Sequence, residues 1–266
     1  MINRVFPKEG TDKDLFQRFN EYISYFDKNW INKIEGLTDK EIKSFQNIYK
    51  IIDKNFKIPE SLYIYFKNIR MIDVKDDIIL SYIEDYTCPI YVENIIDWNK
   101  FYLRKCKNLD YIILTLFSIS DKFLIIDLSK NGQISILDED DDMLIIEPIA
   151  KSLENLLFKS AFIKYERFNN IIKIYEYIRD RNIKENIQNI LRNYDIKRTW
   201  FDDGIRYKGN EYYGYGNGVS IYLCFCVHAK FGPEFVSGLR GFITGENNEL
   251  VKKIYKDINK YLVKSR

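Results

Sequence analysis

The sequence predicts an α+β fold, with helices packed on a mostly antiparallel sheet and a C-terminal α+β extension. Three observations carry that expectation. Apolar residues recur at helical spacing in successive blocks between residues 11 and 69. Apolar runs then flank Asn131-Gly132, a dipeptide that favours a tight hairpin turn. Nine of the 12 glycines lie after Trp200, in a turn-rich, strand-like stretch that leads into a last amphipathic helix. The expected division is residues 1–165 as an α+β domain and 166–266 as an extension of unknown type. No internal repeat or low-complexity linker interrupts the chain.

Composition narrows the class of protein. The 266 residues suffice for one large domain or two small ones. Hydrophobic content of 46% and charged content of 30% are those of an ordinary globular protein. Lys plus Arg is 41 against 39 for Asp plus Glu, a net charge of +2. So small a value gives no global attraction to nucleic acid or anionic lipid, and no direct nucleic-acid or membrane partner is expected. The 21 Tyr and 18 Phe accompany abundant Ile, Lys and Asn, the usage of an AT-rich genome. Residues Met1 to Lys8 lack a continuous apolar stretch and a small-residue cleavage site. Tyr111 to Ile119, the longest apolar run, is too short to span a membrane. Cys88, Cys106, Cys224 and Cys226 are too few for a disulfide framework in so long a chain. The expected location is the cytoplasm, with reduced thiols.

Thr11 is placed to cap a first helix, with Asp12 and Asp14 in its opening turn and Leu15, Phe19, Tyr22 and Phe26 on one face. Trp30, Ile31 and Ile34 fall near its end, and Gly36 breaks it. Thr38 with Glu41 is a capping-box signature ahead of Ile42, Phe45, Ile48, Tyr49 and Ile52. Pro59 suits the first turn of a third helix whose buried face is Leu62, Tyr65, Phe66 and Ile69. Within this region Phe45, Ile52, Leu62, Phe66, Leu124, Ile126 and Leu156 are expected to be buried. Residues 73–108 read as irregular, with one or two short strands. Tyr111 to Ile119 is a clearer strand, and its unbroken apolar character predicts burial on both faces. Phe123 to Leu128 and Gln133 to Leu137 form the hairpin, an acidic loop follows, and Ser152 caps a helix bearing Leu153, Leu156 and Leu157. The spacing of Ile171, Ile174, Tyr175 and Ile178, and then of Ile183, Ile187, Ile190 and Leu191, predicts two helices, the second restarted by Asn182 and Glu185. Trp200 to Phe242 is expected to be β-structured. Leu250, Val251, Ile254, Tyr255, Ile258, Tyr261 and Leu262 form the stripe of the last helix.

Few residues suggest chemistry. A His-dependent catalytic group must use His228, the single histidine. On a strand, Cys224, Cys226 and His228 share one face, as metal ligands would. Residues four apart on a strand are ~13 Å apart, too far for one ion with bonds of about 2 Å. A central strand buried on both faces explains the pattern as well, and no metal site is expected. The run Gly214-Tyr215-Gly216-Asn217-Gly218 precedes a strand and lacks the following helix N-terminus that binds phosphate, so it reads as a turn or mobile loop. Asp202, Asp203, Glu211 and Glu234 show no spacing that marks an acid–base pair, and aspartates beside Gly204 commonly sit in turns. Asp138, Glu139, Asp140, Asp141 and Asp142 are the sharpest charge feature. They read either as a solvated loop or as an acidic surface that steers and docks a basic partner. EF-hand spacing and its glycine are absent from the run.

The order of elements between about residues 36 and 160 resembles the SUKH superfamily of Smi/Knr-type proteins. Ile58-Pro59 followed by Leu62, Tyr65 and Phe66 is similar to that family's hydrophobic-Pro pair and aromatic helix. Leu124 to Leu128, Asn131-Gly132, Ile134 to Leu137 and then Ala150 to Leu157 follow its strand, turn, strand, loop and short helix. The Asn-Gly-Gly usual after the Pro helix is here Asn68-Ile69-Arg70. The resemblance implies an α+β domain with no catalytic centre and no cofactor. It implies an immunity protein that neutralises a cognate bacterial toxin by stoichiometric contact, with Asp138 to Asp142 as the candidate partner-binding surface. Two other readings compete. One is a small hydrolase or nuclease in the glycine-rich half, using His228 with Asp202, Asp203 or Glu234. The other is a scaffold that joins two proteins. The toxin and the oligomeric state are not legible in the sequence.

Overall fold

In a computed structural model the described residues are 12–68, 70–71, 97–103, 110–116, 122–140, 143–166, 168, 170–178, 182–206, 209–227 and 237–263. The fold is α+β, with antiparallel sheets and helices. The chain divides into two compact units, residues 1–161 and 162–266.

The first unit opens with α1 (Asp12–Phe26), which buries Phe19, Tyr22 and Ile23. It stops ten residues short of Gly36. A 3-10 turn, Trp30–Lys33, follows and leads into the short strand β1 (Ile34–Glu35). Trp30 stabilises this early stop. Its fully buried indole donates to Asn20 Oδ1 at 2.8 Å and its ring meets Phe19 edge-on at 6.3 Å. Gly36 serves packing: a Cβ there would lie 1.6 Å from the Lys67 carbonyl oxygen, where Leu37 N–H donates to Phe66 O at 2.7 Å.

Helix α2 (Asp39–Lys50) has its capping box: Glu41 N–H donates to Thr38 Oγ1 and Thr38 N–H to Glu41 Oε2. Ile42, Phe45, Ile48 and Tyr49 are buried. Ile52 is not, with 43% of its surface exposed. The helix ends two residues earlier, so the apolar stripe no longer projects inward, and Phe56 instead stacks on Tyr49 at 4.4 Å. Helix α3 (Glu60–Asn68) begins just after Pro59, whose carbonyl accepts from Tyr63 N–H at 2.9 Å. Leu62, Tyr65 and Phe66 are its buried residues. Strand β2 (Arg70–Met71) pairs with β1.

Within the stretch read as irregular, residues 97–103 are helical. Their Asn99 is fully buried and pairs with backbone like a length of strand. Its Oδ1 accepts from Ile113 N–H at 2.8 Å, and its Nδ2 donates to Ile113 O at 2.8 Å. Tyr49 donates to the same Oδ1. These bonds occupy backbone groups of β3 (Tyr111–Leu116), which ends the antiparallel sheet β3-β4-β5-β6. Strands β4 (Phe123–Asp127) and β5 (Gln133–Asp140) form the expected hairpin, with Asn131 and Gly132 at φ 55° and 78°. The loop also contains a 3-10 turn, Leu128–Lys130, so it is longer than a two-residue turn.

The acidic loop is corrected. Asp138, Glu139 and Asp140 continue β5 and pair with Ile145, Leu144 and Met143 of β6 (Met143–Ala150), while Asp141 and Asp142 lie outside the described residues. The register skips Ile149, a bulge between the Ile134–Ala150 and Ser135–Pro148 pairs. Fully buried Lys159 on α4 (Leu153–Tyr165) donates to the Ile149 carbonyl at 3.2 Å. Ser152 caps that helix through Asn155 N–H, as expected. Leu124, Ile126 and Leu156 are buried as anticipated, with Phe45, Leu62 and Phe66.

The second unit is built on a sheet in the order β13 (Leu262–Val263), β7 (Asn170–Ile178), β12 (Ser237–Gly245), β11 (Val219–Val227), β10 (Gly209–Gly216) and β8 (Lys197–Arg198), with β9 (Ile205–Arg206) also on β10, and every pairing is antiparallel. The first expected helix is instead strand β7 (Asn170–Ile178). Its isoleucines satisfy both periods, and eight consecutive pairs with β12 (Ser237–Gly245) decide for the strand. The second is helix α5 (Ile183–Asn193), although Asn182 makes no side-chain cap bond. Short strands β8 (Lys197–Arg198) and β9 (Ile205–Arg206) precede β10 (Gly209–Gly216) and β11 (Val219–Val227). The glycine-rich run is the end of β10 and a hairpin turn in which Asn217 and Gly218 have φ 49° and 72°. Helix α6 (Asn248–Asn259) buries Val251, Ile254 and Ile258, and Leu262 belongs to β13 (Leu262–Val263) instead of the helix. Helices α5 and α6 share one core with Ile174, Val219, Ile221, Leu223, Leu239 and Ile243 from a single face of the sheet.

Candidate functional site

The other face of that sheet carries the densest buried polar group among the described residues. It arises where the edge strand breaks. β8 pairs with Tyr215 and Gly214, β9 pairs with Asn210 and Gly209, and residues 199–204 form a bulge in the edge between them. The Asp202 side chain and one backbone bond replace the missing ladder. Tyr213 N–H donates to Asp202 Oδ2 at 3.0 Å, and Thr199 N–H donates to Tyr213 O at 2.9 Å. Arg198 grips the same carboxylate through Nε at 2.7 Å and Nη2 at 3.0 Å, and Gly204 N–H adds a third donor group at 3.0 Å. Burial pushes the Asp202 carboxyl above its ordinary value, although Arg198 and the two backbone donors oppose the shift.

Period-two alternation sets the rest of the cluster. Glu211 and Tyr213 on β10 share a face with Ser220, Tyr222 and Cys224 on β11 and Phe242 on β12. Glu211 is fully buried. Its Oε1 accepts from Arg206 Nη1 at 2.6 Å and from Tyr222 Oη at 3.2 Å, and its Oε2 accepts from Tyr213 Oη at 3.1 Å. Arg206 also reaches the Tyr222 oxygen. Desolvation, then the Glu211 charge, hold the Tyr222 phenol well above its usual range. Ser220 donates to buried Glu166 at 2.7 Å. Phe162, Phe201, Tyr213, Tyr222 and Phe242 wall the cluster with ring contacts of 5.0 to 6.3 Å.

This arrangement suits a clamp better than a reaction centre. Asp202 and Glu211 each face a guanidinium and further donors, and Tyr222 is held as a protonated donor. Asp202 bolts the bulge, and Glu211 bolts β9 to β11 through Arg206 and Tyr222. The neighbouring Asp203 caps Ile205 N–H at 3.0 Å, a turn role. His228 and Glu234, named in the competing catalytic reading, lie outside the described residues. Cys224 is fully buried on the inner strand β11. Among the described residues no group of three or more His, Cys, Asp or Glu could hold a metal ion.

Of the acidic candidates, Asp138, Glu139 and Asp140 lie on consecutive β5 positions paired with β6. The sequence reading missed Arg198, Arg206, Tyr213 and Tyr222. The available signal was the alternation Glu211-Tyr212-Tyr213 against Ser220-Ile221-Tyr222-Leu223, which places Glu211, Tyr213, Ser220 and Tyr222 on one side and Tyr212, Ile221 and Leu223 on the other. No helix among the described residues is long and apolar enough to cross a membrane. Compared with protein-family models, curated proteins and solved structures, the chain matches none of them.

Proposed function

We propose that this chain is a stoichiometric binding protein, an immunity protein of SUKH type that neutralises a cognate bacterial toxin in the cytoplasm by direct contact. The observation that carries the reading is the element order of the first unit: capped α2, Pro59 and α3, then the antiparallel β3-β4-β5-β6 meander closed by α4. That order shares with the family resemblance the two helices joined at Pro59, the β4–β5 hairpin and the following helix, while β6 stands where the resemblance implies a loop. The closed state of the Asp202 and Glu211 clusters supports a non-catalytic role, since both carboxylates are committed to arginine.

The partner surface in this reading includes Asp138 to Asp142 at the β5–β6 connection. Five adjacent carboxylates raise the association rate with a basic partner, and the effect falls as salt shortens the Debye length to about 8 Å at physiological strength. The test uses a toxin encoded beside this gene. Cells producing that toxin should survive when the intact chain is co-produced, and His228→Ala should protect equally. The Asp140→Asn/Asp141→Asn/Asp142→Asn variant should associate more slowly with captured toxin, mainly at low salt. Protection lost in a stably folded His228→Ala variant would favour the catalytic reading. Association rates equal to the parent's at every salt concentration would remove the acidic run from the interface.

A further inference from the structure

Two buried oxygens on the β4–β5 hairpin have no hydrogen-bond partner: Asp127 Oδ2 and Ser135 Oγ. Both residues are fully buried. Asp127 stands opposite Gln133 and Ser135 opposite Ile125, so the two are diagonal neighbours on one face of the sheet. That face carries the apolar cluster of Tyr102, Tyr111, Ile113, Ile125 and Leu137. A hydroxyl stranded there carries an uncompensated desolvation cost.

The surroundings account for only half of Asp127. Its Oδ1 accepts from Ser129 N–H at 3.1 Å and Ser129 Oγ at 2.6 Å, which fixes the turn. Lys130 Nζ is 3.6 Å from Oδ2, close enough for an ion pair and too long for a hydrogen bond. Tyr111, directly across the ladder from Asp127, has its phenol raised by burial first and by the Asp127 charge second. The unused carboxylate oxygen thus faces an apolar setting, with an unused hydroxyl one diagonal step away. Diagonal neighbours are about 7–8 Å apart at the backbone, closer at their side chains. Two hydrogen bonds of about 2.8 Å in series span such a gap.

We infer that one ordered water molecule is bound between Asp127 Oδ2 and Ser135 Oγ and is an integral part of the hairpin. The water donates one proton to the carboxylate. Its second contact is with the Ser135 hydroxyl, which rotates to donate or accept as needed.

A crystal structure of the full chain, refined at a resolution that shows ordered solvent, tests this. The expected result is a density peak within about 2.6–3.2 Å of both oxygens. The peak should vanish in Ser135→Ala, or in Ser135→Cys if the alanine variant does not fold. An empty position in the parent, or a peak that persists unchanged in the variant, overturns the inference. So does a cation there, recognisable by several oxygen ligands at about 2.4 Å.

Discussion

Replacing Glu211 with Gln measures how far the second unit depends on its buried ion pair. The substitution keeps the shape of the side chain and an oxygen that can accept from Tyr213 and Tyr222. It removes the charge opposite Arg206. The Glu211 side chain has no exposed surface and that of Arg206 has 14%, so solvent compensates the stranded guanidinium only slightly. Breaking a buried pair from one side costs about 3–5 kcal/mol. The residual exposure of Arg206 places the expected loss near the lower end, about 3 kcal/mol. For a unit of about 100 residues each kcal/mol moves the midpoint by ~4–8 °C, so the shift is large enough to read easily. Urea unfolding followed by far-ultraviolet circular dichroism gives the free energy, with Arg206→Met and the double variant completing the cycle. The double variant should lose clearly less than the sum of the single losses, with a coupling of roughly 2 kcal/mol. A loss below about 1 kcal/mol for Glu211→Gln, or strictly additive losses, would refute the clamp.

Asn99→Ala should destabilise the first unit by about 3 kcal/mol, because Ile113 N–H, Ile113 O and Tyr49 Oη lose their partner together. Equilibrium unfolding checks it, and an unchanged midpoint would mean that water replaces the amide freely. A titration by carboxyl-detected NMR tests the Tyr194–Asp257–Lys260 group. Hydrogen bonds from Lys260 and then Tyr194 hold the Asp257 carboxyl below its ordinary 3.8, while burial and the Asp257 bond push the Tyr194 phenol up to about 12. A depressed carboxyl contributes stability above the unfolded value of 3.8, and that contribution is lost as pH falls through the folded value. Tyr194→Phe should therefore move Asp257 upward toward 3.8 and flatten the acid limb. An unmoved Asp257 would assign the whole depression to Lys260.

Local chemistry was legible wherever a few neighbouring residues decide the outcome. Thr38 and Glu41 form their capping box, Ser152 caps α4, and Asn131-Gly132 and Asn217-Gly218 supply the positive φ angles of two hairpins. Sequence alone therefore determined the α+β class, the start of α2 and most of the core, from Phe45 to Leu156. Tertiary structure decided what pattern leaves degenerate. Ile171 to Ile178 fits a helical and an extended period equally, and the β12 partner selected the strand. Ile52 continues a helical stripe on paper but lies past the point where Phe56 stacks on Tyr49 and turns the chain away. The acidic run reads as solvated loop until β6 offers Asp138 to Asp140 a ladder of backbone hydrogen bonds. The Asp202 and Glu211 clusters were hidden for the same reason. A buried charge is stable only when partners from other segments surround it, and those partners come together only when the sheet forms.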